Sequence, residues 1–364
     1  MSPEDVALLG VQHRRGRKAR PFDVRSRAPL RLGLAGGGTD LSPYCDQFGG
    51  AVLNATIDRF AFAHVTPNDE GRVVFRARDI GADESHALDA PIALDQGLVL
   101  HRGVYRHMVE TYLDGRMPAL TVSTTIDAPA GSGLGSSSAL VVALVEAFRA
   151  ALDLPLGPAE IARLAFDIER NQLGLAGGRQ DHYAAAFGGV NFIEFLPGEK
   201  VLVSPLRVPR AFLNEFESSL VICFTGQSRR SETIIQEQID GLRGMDARTI
   251  DSMHQLKADA ALMREALLQG DMRGLAEILT RSWAAKQRTA KGIATPAVER
   301  LFQTALDEGA WGGKVSGAGG GGFLMFFTDP ENRHRLITAL NAAGGQASPA
   351  KITFEGAEAW GVPR

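Results

Sequence analysis

Hydrophobic and polar positions follow two different periods along the chain. Runs of β-branched and aromatic residues with partial alternation predict strands at 51–67, 72–78, 119–126, 189–196, 219–225 and 351–355, and strands beside glycine-rich turns within 27–41 and 315–327. Apolar residues three and four positions apart predict helices at 98–114, 139–152, 158–171, 295–309 and 331–343, with two or three more across 231–290. Because strands and helices do not alternate in regular βαβ order, the pattern favours an α+β fold.

The length of 364 residues predicts two domains. Segment 199–213 contains Pro205 and Pro209 and is interpreted as a linker. The predicted organisation is therefore an irregular basic arm at 1–24, an N-terminal domain at 25–208 and a C-terminal domain at 209–364.

Composition and charge exclude several classes of protein. Hydrophobic residues make up 45% and charged residues 22% of the chain, which is typical of a globular protein. The net charge of −3 argues against general binding to nucleic acid or to an anionic membrane, although the basic stretch 13–20 leaves a nucleic-acid-binding module as an alternative. Two cysteines suit a reducing cytoplasm. Neither a signal peptide nor a transmembrane helix is expected.

Glycine is enriched, with 41 residues, and it is clustered. The segment PAGSGLGSSSALVVALVEAF (129–148) joins a glycine-serine loop directly to an apolar helix. Glycines let a backbone approach a ligand closely, and the N-terminus of a helix attracts anions, so a polyphosphate site is predicted. It is not a Walker A loop, because no Gly-Lys-Ser/Thr follows. The candidate residues are Gly131, Ser132, Gly133, Leu134, Gly135, Ser136, Ser137 and Ser138.

Three further segments contain candidate chemistry. In 27–41, Arg31 could neutralise a transferred phosphoryl group, and Asp40 could bind polyol hydroxyls or simply cap its own turn. In 166–189, Glu169 could hold Mg²⁺ and Asp181 could accept a hydroxyl proton, unless both are solvated surface residues. In 314–327, five of six residues from 317 to 322 are glycine, which indicates either close backbone approach or a tight hairpin.

In this order, the four segments resemble the motifs of the GHMP kinase superfamily across about residues 25–355. The resemblance implies a ribosomal-S5-domain-2-like N-terminal domain, a ferredoxin-like C-terminal domain and ATP bound between them. It implies Asp181 as catalytic base, Arg31 as the residue that stabilises the nucleophile, and Ser137 and Glu169 as Mg²⁺ ligands. The implied substrate contacts are Gly37, Gly38, Thr39, Asp40, Gly178, Gly319 and Gly320. Galactokinases have Glu and His where this chain has Gly37 and Gly38, which disfavours galactose.

Within the superfamily, segments 31–50, 225–231 and 312–323 are most similar to the heptose 7-phosphate kinase branch. That similarity implies an ATP- and Mg²⁺-dependent sugar 1-kinase that forms a 1,7-bisphosphate for nucleotide-heptose and surface polysaccharide synthesis. Arg229, Arg230 and Lys286 would bind the distal phosphate, unless they are solvated surface cations. The expected partner is a sugar phosphate, and a homodimer stays open. The alternatives are a kinase of fucose or a related hexose, and a non-catalytic nucleotide-binding regulator.

Overall fold

A computed structural model describes residues 23–227 and 231–362 of the chain. Within these ranges the strands, in chain order, are β1 Val24–Ala35, β2 Gly50–Pro67, β3 Arg72–Ala77, β4 Ala82–Ala87, β5 Leu120–Ile126, β6 Val190–Leu196, β7 Lys200–Pro205, β8 Leu220–Phe224, β9 Ala310–Val315, β10 Phe323–Thr328, β11 Gln346–Ser348 and β12 Glu358–Gly361. The α-helices are α1 Tyr44–Phe48, α2 Val99–Tyr112, α3 Ser136–Ala151, α4 Pro158–Phe166, α5 Gln180–Phe187, α6 Arg210–Ser219, α7 Ser231–Arg243, α8 Ala247–Gln269, α9 Met272–Gln287, α10 Pro296–Asp307 and α11 Arg333–Ala342.

The larger sheet is organised around the 18-residue strand β2. Its first residues, 50–55, pair with β6, and residues 61–67 pair with β5. The strand order is β12-β1-β2-β5-β3-β4, with β6 and β7 attached to β2 as a side branch. Helix α3 packs on β1 and β2. Its residues 138–148 are buried without interruption, because this nearly apolar helix lies between the sheet and the surrounding helices.

The smaller sheet has the antiparallel order β11-β8-β10-β9. Every residue of β8 and β10 is buried, which fits their continuous apolar sequences LVICF and FLMFFT. Helix α9 lies against β9, and α8 packs both on α9 and on the first two strands of the larger sheet. The predicted α+β class is confirmed, and the long helix α8 connects the two sheets.

Two sequence predictions about secondary structure are wrong. Segment 199–213 is not an irregular linker, because it contains β7 and the start of α6. Pro205 is tolerated there because it ends an edge strand, where its missing N–H breaks no interior ladder. The predicted strand 351–355 is only a single bridge between Ile57 and Ile352. The last strand lies further on, at β12, and pairs with β1.

The chain therefore returns to the larger sheet at its end, after completing the smaller one. The larger sheet's branch ends at Pro205 and the smaller sheet begins at Leu220. The boundary between 208 and 209 stays a prediction. The basic arm predicted at 1–24 falls outside the described residues except for its last two positions. In the part of the chain that is described, no helix combines the length and the apolar character needed to cross a membrane.

Candidate active site

A cavity of about 430 Å³ lies where β1, the start of α3 and the glycine-rich turn after β9 meet. Its walls come from segments far apart in sequence, including Arg31, Gly133, Asp181, Lys286 and Gly317. It therefore brings together residues from all four segments that the sequence singled out.

The loop before α3 forms one end of this cavity. Gly131, Gly133 and Gly135 have φ of 71°, 77° and 74°, a region that favours glycine. Gly135 is the N-cap of α3, so the first N–H groups of that helix and the positive end of its dipole face the loop. A cavity wall of this kind is suited to phosphate oxygens.

The second glycine cluster contacts the first through the backbone. A Cβ atom on Gly133 would overlap the carbonyl oxygen of Ser316, and one on Gly317 would lie 2.7 Å from the carbonyl oxygen of Gly133. The amide of Phe323 donates a hydrogen bond to the Ser132 carbonyl oxygen (2.8 Å). Close approach of the two loops thus explains Gly317 and Gly322, where an added Cβ would meet the backbone of Gly133 and Ser132.

Arg31 and Asp181 form a buried ion pair in the middle of the cavity. The Arg31 Nε and Nη2 atoms lie 2.8 and 2.7 Å from Asp181 Oδ1. Nη1 of the same guanidinium donates to the Gly133 carbonyl oxygen (2.6 Å). The side chain of Arg31 is 5% exposed and that of Asp181 is 21% exposed, so the carboxylate is the more accessible partner. A Cβ on Gly135 would be 3.2 Å from Asp181 Oδ2, which places this second oxygen beside residues 131–135, the predicted phosphate loop.

Asp40 also lines the cavity and is held by three hydrogen bonds. Its Oδ1 accepts from the Gly38 amide (3.1 Å) and from Gln180 Nε2 (3.0 Å), and its Oδ2 accepts from the Gln180 amide (3.0 Å). Gln180 is the first residue of α5, so Asp40 satisfies one of the free N–H groups of the helix that contains Asp181. Gly178 leaves the space for this carboxylate, because a Cβ there would overlap it.

Glu169 lies in a π-helical turn, residues 167–172, that continues α4. Its Oε2 accepts from His182 Nε2 (2.6 Å) and Ser138 Oγ (2.8 Å), and Arg170 Nη1 lies 3.3 Å from Oε1. Burial alone would raise the pKa of Glu169, but Arg170, His182 and Ser138 outweigh it and lower the pKa to about 2. The carboxylate is therefore ionised at neutral pH although it is only 1% exposed.

Two segments of the chain match family models. Residues 99–189 match the GHMP kinases N terminal domain, and residues 263–346 match the GHMP kinases C terminal model. Over 339 residues the chain is 40% identical to the D-glycero-alpha-D-manno-heptose 7-phosphate kinase of Campylobacter jejuni, an alignment that covers 93% of this chain and 99% of that relative. This chain belongs to the GHMP kinase family.

Solved structures agree with this assignment. A D-glycero-D-manno-heptose 1-phosphate kinase from Bacteroides thetaiotaomicron is 39% identical, with a TM-score of 0.79 over 94% of this chain and 100% of that one. The galactokinase of Lactococcus lactis has the same fold at 18% identity, with a TM-score of 0.73 over 99% of this chain and 98% of that one. The predicted two-domain GHMP kinase fold and the prediction of an ATP-dependent sugar kinase are both confirmed.

Several predicted substrate contacts of this GHMP kinase do not line the cavity. The Thr39 hydroxyl bonds the backbone of Ala51, donating to its carbonyl (2.9 Å) and accepting from its amide (3.0 Å). Gly319 and Gly320 pack against Ile293, whose carbonyl oxygen accepts from the Gly320 amide (2.7 Å). These three residues therefore have structural contacts, and their assignment to the substrate stays a prediction. Gly37, Gly38, Asp40, Gly178 and Lys286 do line the cavity, whereas Arg229 and Arg230 lie outside the described residues.

The serine that contacts Glu169 is Ser138, the residue after the predicted Mg²⁺ ligand Ser137. Ser137 is exposed and lines the cavity, while Ser138 is 2% exposed and donates to Glu169. The reason is the start of α3 at Ser136, three residues earlier than the predicted helix, because the helical period then turns position 138 toward the core. The assignment of Ser137 to Mg²⁺ stays a prediction.

The sequence reasoning missed Lys314 and Gln180. Lys314 is 5% exposed and lines the cavity from β9; in sequence it served only to exclude a Walker A loop. Gln180 is 8% exposed and also lines the cavity, and its Oε1 has no hydrogen-bond partner among the described residues. Two sequence features could have pointed to these residues. Lys314 follows two glycines at the start of the last glycine-rich segment, and Gln180 directly precedes the candidate base Asp181.

Proposed function

We propose that this GHMP kinase transfers the γ-phosphoryl group of ATP to the anomeric hydroxyl of D-glycero-α-D-manno-heptose 7-phosphate, giving the 1,7-bisphosphate. The observation that carries the proposal is the buried Arg31–Asp181 pair directly beside the phosphate loop. The 40% identity to a heptose 7-phosphate kinase over nearly the whole chain supports the choice of acceptor. The product would serve nucleotide-heptose and surface polysaccharide synthesis.

The two oxygens of Asp181 would have different tasks. Oδ1 accepts both hydrogen bonds from Arg31, whereas Oδ2 has no partner among the described residues and faces the loop. Oδ2 would take the proton of the acceptor hydroxyl as its oxygen attacks the γ-phosphorus and the bond to the ADP oxygen breaks. Arg31 would hold the carboxylate in place and offset negative charge that develops on the transferred group. Positioning and charge neutralisation would supply most of the rate.

The residues on the cavity wall fit a Mg²⁺ ion that shares its ligands with ATP. Among the described residues, no group of three or more His, Cys, Asp or Glu side chains could hold a metal alone. Mg²⁺ in kinases typically takes one or two carboxylates and completes its shell with phosphate oxygens and water, and Glu169 is an ionised carboxylate on that wall. Glu169, with Ser137 or Ser138, would hold the ion. When bound, it would neutralise charge on the phosphates.

The test is turnover of an acceptor panel with Mg-ATP, measured by ADP release and by ³¹P NMR of the product. The panel contains D-glycero-D-manno-heptose 7-phosphate and 1-phosphate, sedoheptulose 7-phosphate, mannose 6-phosphate, fucose and galactose. Selective turnover of the 7-phosphate, with the new phosphorus coupled to the anomeric proton, is the expected result. Preference for the 1-phosphate, named for the Bacteroides structure, or for a neutral sugar would refute the acceptor and leave the kinase.

The role of Asp181 is tested by Asp181→Asn, which keeps the shape and removes the base. We expect kcat to fall by about 10²–10⁴ while ATP binding is retained. Asp127→Asn is a matched control, because Asp127 accepts a backbone hydrogen bond from Phe60 (2.9 Å) outside the cavity. An unchanged kcat in Asp181→Asn would remove the base and leave orientation by Arg31. Absence of turnover in the wild type with every acceptor, while ATP still binds, would favour the non-catalytic regulator.

The cellular setting is part of the same proposal. Cys45 and Cys223 are both buried free thiols, which supports a reducing cytoplasm as the compartment in which the kinase acts.

A further inference from the structure

Two buried lysines face the same cavity, and neither has a carboxylate within ion-pair distance in the described part of the chain. Lys286, on α9, and Lys314, on β9, are each 5% exposed. Each ammonium has one hydrogen bond within the described part of the chain, from Lys286 to the Gly37 carbonyl oxygen (3.1 Å) and from Lys314 to the Leu34 carbonyl oxygen (3.4 Å). An ammonium has three donors, so most of the capacity of both is unused. Burial of a cation without a counterion is unfavourable unless a ligand supplies the negative charge.

The two lysines and the phosphate loop contact different residues of β1 and of the turn that follows it. Arg31 contacts that loop directly, through its amide to the Leu134 carbonyl oxygen (3.0 Å) and through its guanidinium to Gly133. Leu34 lies three residues further along, roughly 10 Å away at the usual rise of a strand. Gly37 comes later still, in the turn that leads to Asp40. The lysines therefore bond to backbone carbonyls further along this segment than Arg31, toward Asp40, which the sequence predicts as a sugar ligand.

We propose that Lys286 and Lys314 together bind the phosphate group that the acceptor already has, and so select a sugar phosphate over a neutral sugar. This inference rests on the proposed function and deepens it by assigning the acceptor's distal phosphate to this lysine pair. A phosphate monoester has a charge near −2 at neutral pH, and two ammonium groups would balance it. The pair would take over the role predicted for Arg229 and Arg230, with point charges in place of a guanidinium fork.

The electrostatic environment supports the pair as an anion site. Burial lowers the pKa of Lys286 to about 8, with Arg31 acting in the same direction and Asp40 against it. Burial also lowers the pKa of Lys314 to about 7, reinforced by Lys286 and Arg31 and opposed by Asp259. Lys286 thus destabilises the charged form of Lys314 in the free protein, Arg31 destabilises that of both lysines, and a bound phosphate would oppose these effects.

The test compares Lys286→Met and Lys314→Met with the wild type on heptose 7-phosphate, the unphosphorylated heptose and ATP. Loss of one charged hydrogen-bonding partner predicts a KM for the sugar phosphate raised by about 10- to 100-fold. The KM for ATP and the KM for the unphosphorylated heptose should change much less than the KM for heptose 7-phosphate, since the phosphate group is what the pair binds. Lys257→Met is the matched control, because Lys257 donates to a backbone carbonyl, that of Phe48 (2.6 Å), away from the cavity.

Two outcomes would overturn the inference. One is a wild-type enzyme that uses the phosphorylated and unphosphorylated heptose equally well. The other is a loss of kcat that is the same with both acceptors and comes with a raised KM for ATP, which would place the lysines on the transferred group. Lys314→Gln and Lys286→Gln repeat the test if a methionine variant unfolds.

Failure of the proposed function can be distinguished from failure of the lysine pair by calorimetric titration with a saturating non-hydrolysable ATP analogue, which occupies the loop before α3. The wild type should bind mannose 6-phosphate and inorganic phosphate, and Lys286→Met/Lys314→Met should lose both. If no heptose is turned over but this anion binding is lost in the double variant, the acceptor is wrong and the pair stands. If the double variant binds both anions as the wild type does, or the wild type binds neither, the pair is refuted.

Discussion

Replacement of Asp40 by asparagine separates two roles that this carboxylate can have, because the change keeps its shape and removes one acceptor. The present carboxylate accepts three hydrogen bonds, two at Oδ1 and one at Oδ2. An asparagine amide has one oxygen. If the asparagine oxygen takes the Oδ1 position, the asparagine NH₂ group faces the backbone amide of Gln180. In the flipped orientation the NH₂ group faces the other two donors, the Gly38 amide and Gln180 Nε2. The better arrangement therefore leaves one buried donor of the α5 N-terminus unpaired.

That single loss sets the expected magnitude. A buried donor without a partner costs about 1–3 kcal/mol, so Asp40→Asn should lower the free energy of unfolding by that amount. Asp181 is the next residue of the same helix, and a displaced helix start would move its carboxylate relative to the phosphate loop. Because small misplacements of a reacting group are expensive, kcat should fall by about 10- to 100-fold.

The assay is denaturant unfolding together with kcat, the KM for the sugar phosphate and the KM for ATP. Asp46→Asn is the control, since Asp46 pairs with Arg179 (3.2 Å) just before α5 but is 44% exposed, and it should change little. If Asp40→Asn leaves stability and kcat unchanged and raises only the KM for the sugar, Asp40 does not support α5. It would then act on the substrate alone, as the sequence suggested.

Three further predictions follow from other parts of the cavity. Gly133→Ala should raise the KM for ATP and lower the melting temperature, because Gly133 has φ of 77° and faces a carbonyl oxygen, whereas Gly71→Ala, with φ of 63° and open space around it, should show only the effect of φ. Glu169→Gln should raise the Mg²⁺ concentration needed for half-maximal rate; Glu146→Gln, which alters a buried glutamate paired with Arg149 elsewhere on α3, should not. The KM for the sugar phosphate should rise as the pH increases from about 7 to 9. Lys314, with its pKa lowered to about 7, loses its charge in this range while the phosphate stays ionised. The pH profile of Lys314→Met should show a smaller rise in this KM.

The sequence predicted the parts of the site that depend on local chemistry. A glycine-serine loop that runs directly into an apolar helix can be recognised from consecutive residues. The structure has this loop and α3 in the predicted segment, although α3 begins three residues earlier than predicted. The α+β class was readable for the same reason, because periods of two and 3.6 are local properties. The candidate base and its arginine were also identified, although 150 positions separate Arg31 from Asp181.

The rest depended on contacts that no local pattern determines. Asp40 and Gln180 are 140 positions apart, and Lys314 meets the carbonyl of Leu34 across 280 positions. The contact of Ser138 with Glu169 depends on where α3 begins, which is the least certain property of a helix in sequence. Thr39 looked like a ligand beside Asp40, but its hydroxyl is bonded by the backbone of Ala51 once the turn folds back onto β2.

The residues proposed for phosphoryl transfer and the lysines proposed to select the acceptor come from different parts of the molecule. Arg31, Asp181 and Glu169 come from the larger sheet and its helices, whereas Lys286 and Lys314 come from the elements around the smaller sheet. The two parts meet beside the phosphate loop mainly through backbone atoms, which is why glycines occur on both sides of that contact. Substitutions on α9 or β9 should therefore change the preference between charged and neutral acceptors. The backbone contact should keep Asp181 and the phosphate loop in their relative positions. A family of kinases with one phosphoryl-transfer site and many acceptors requires this kind of separation.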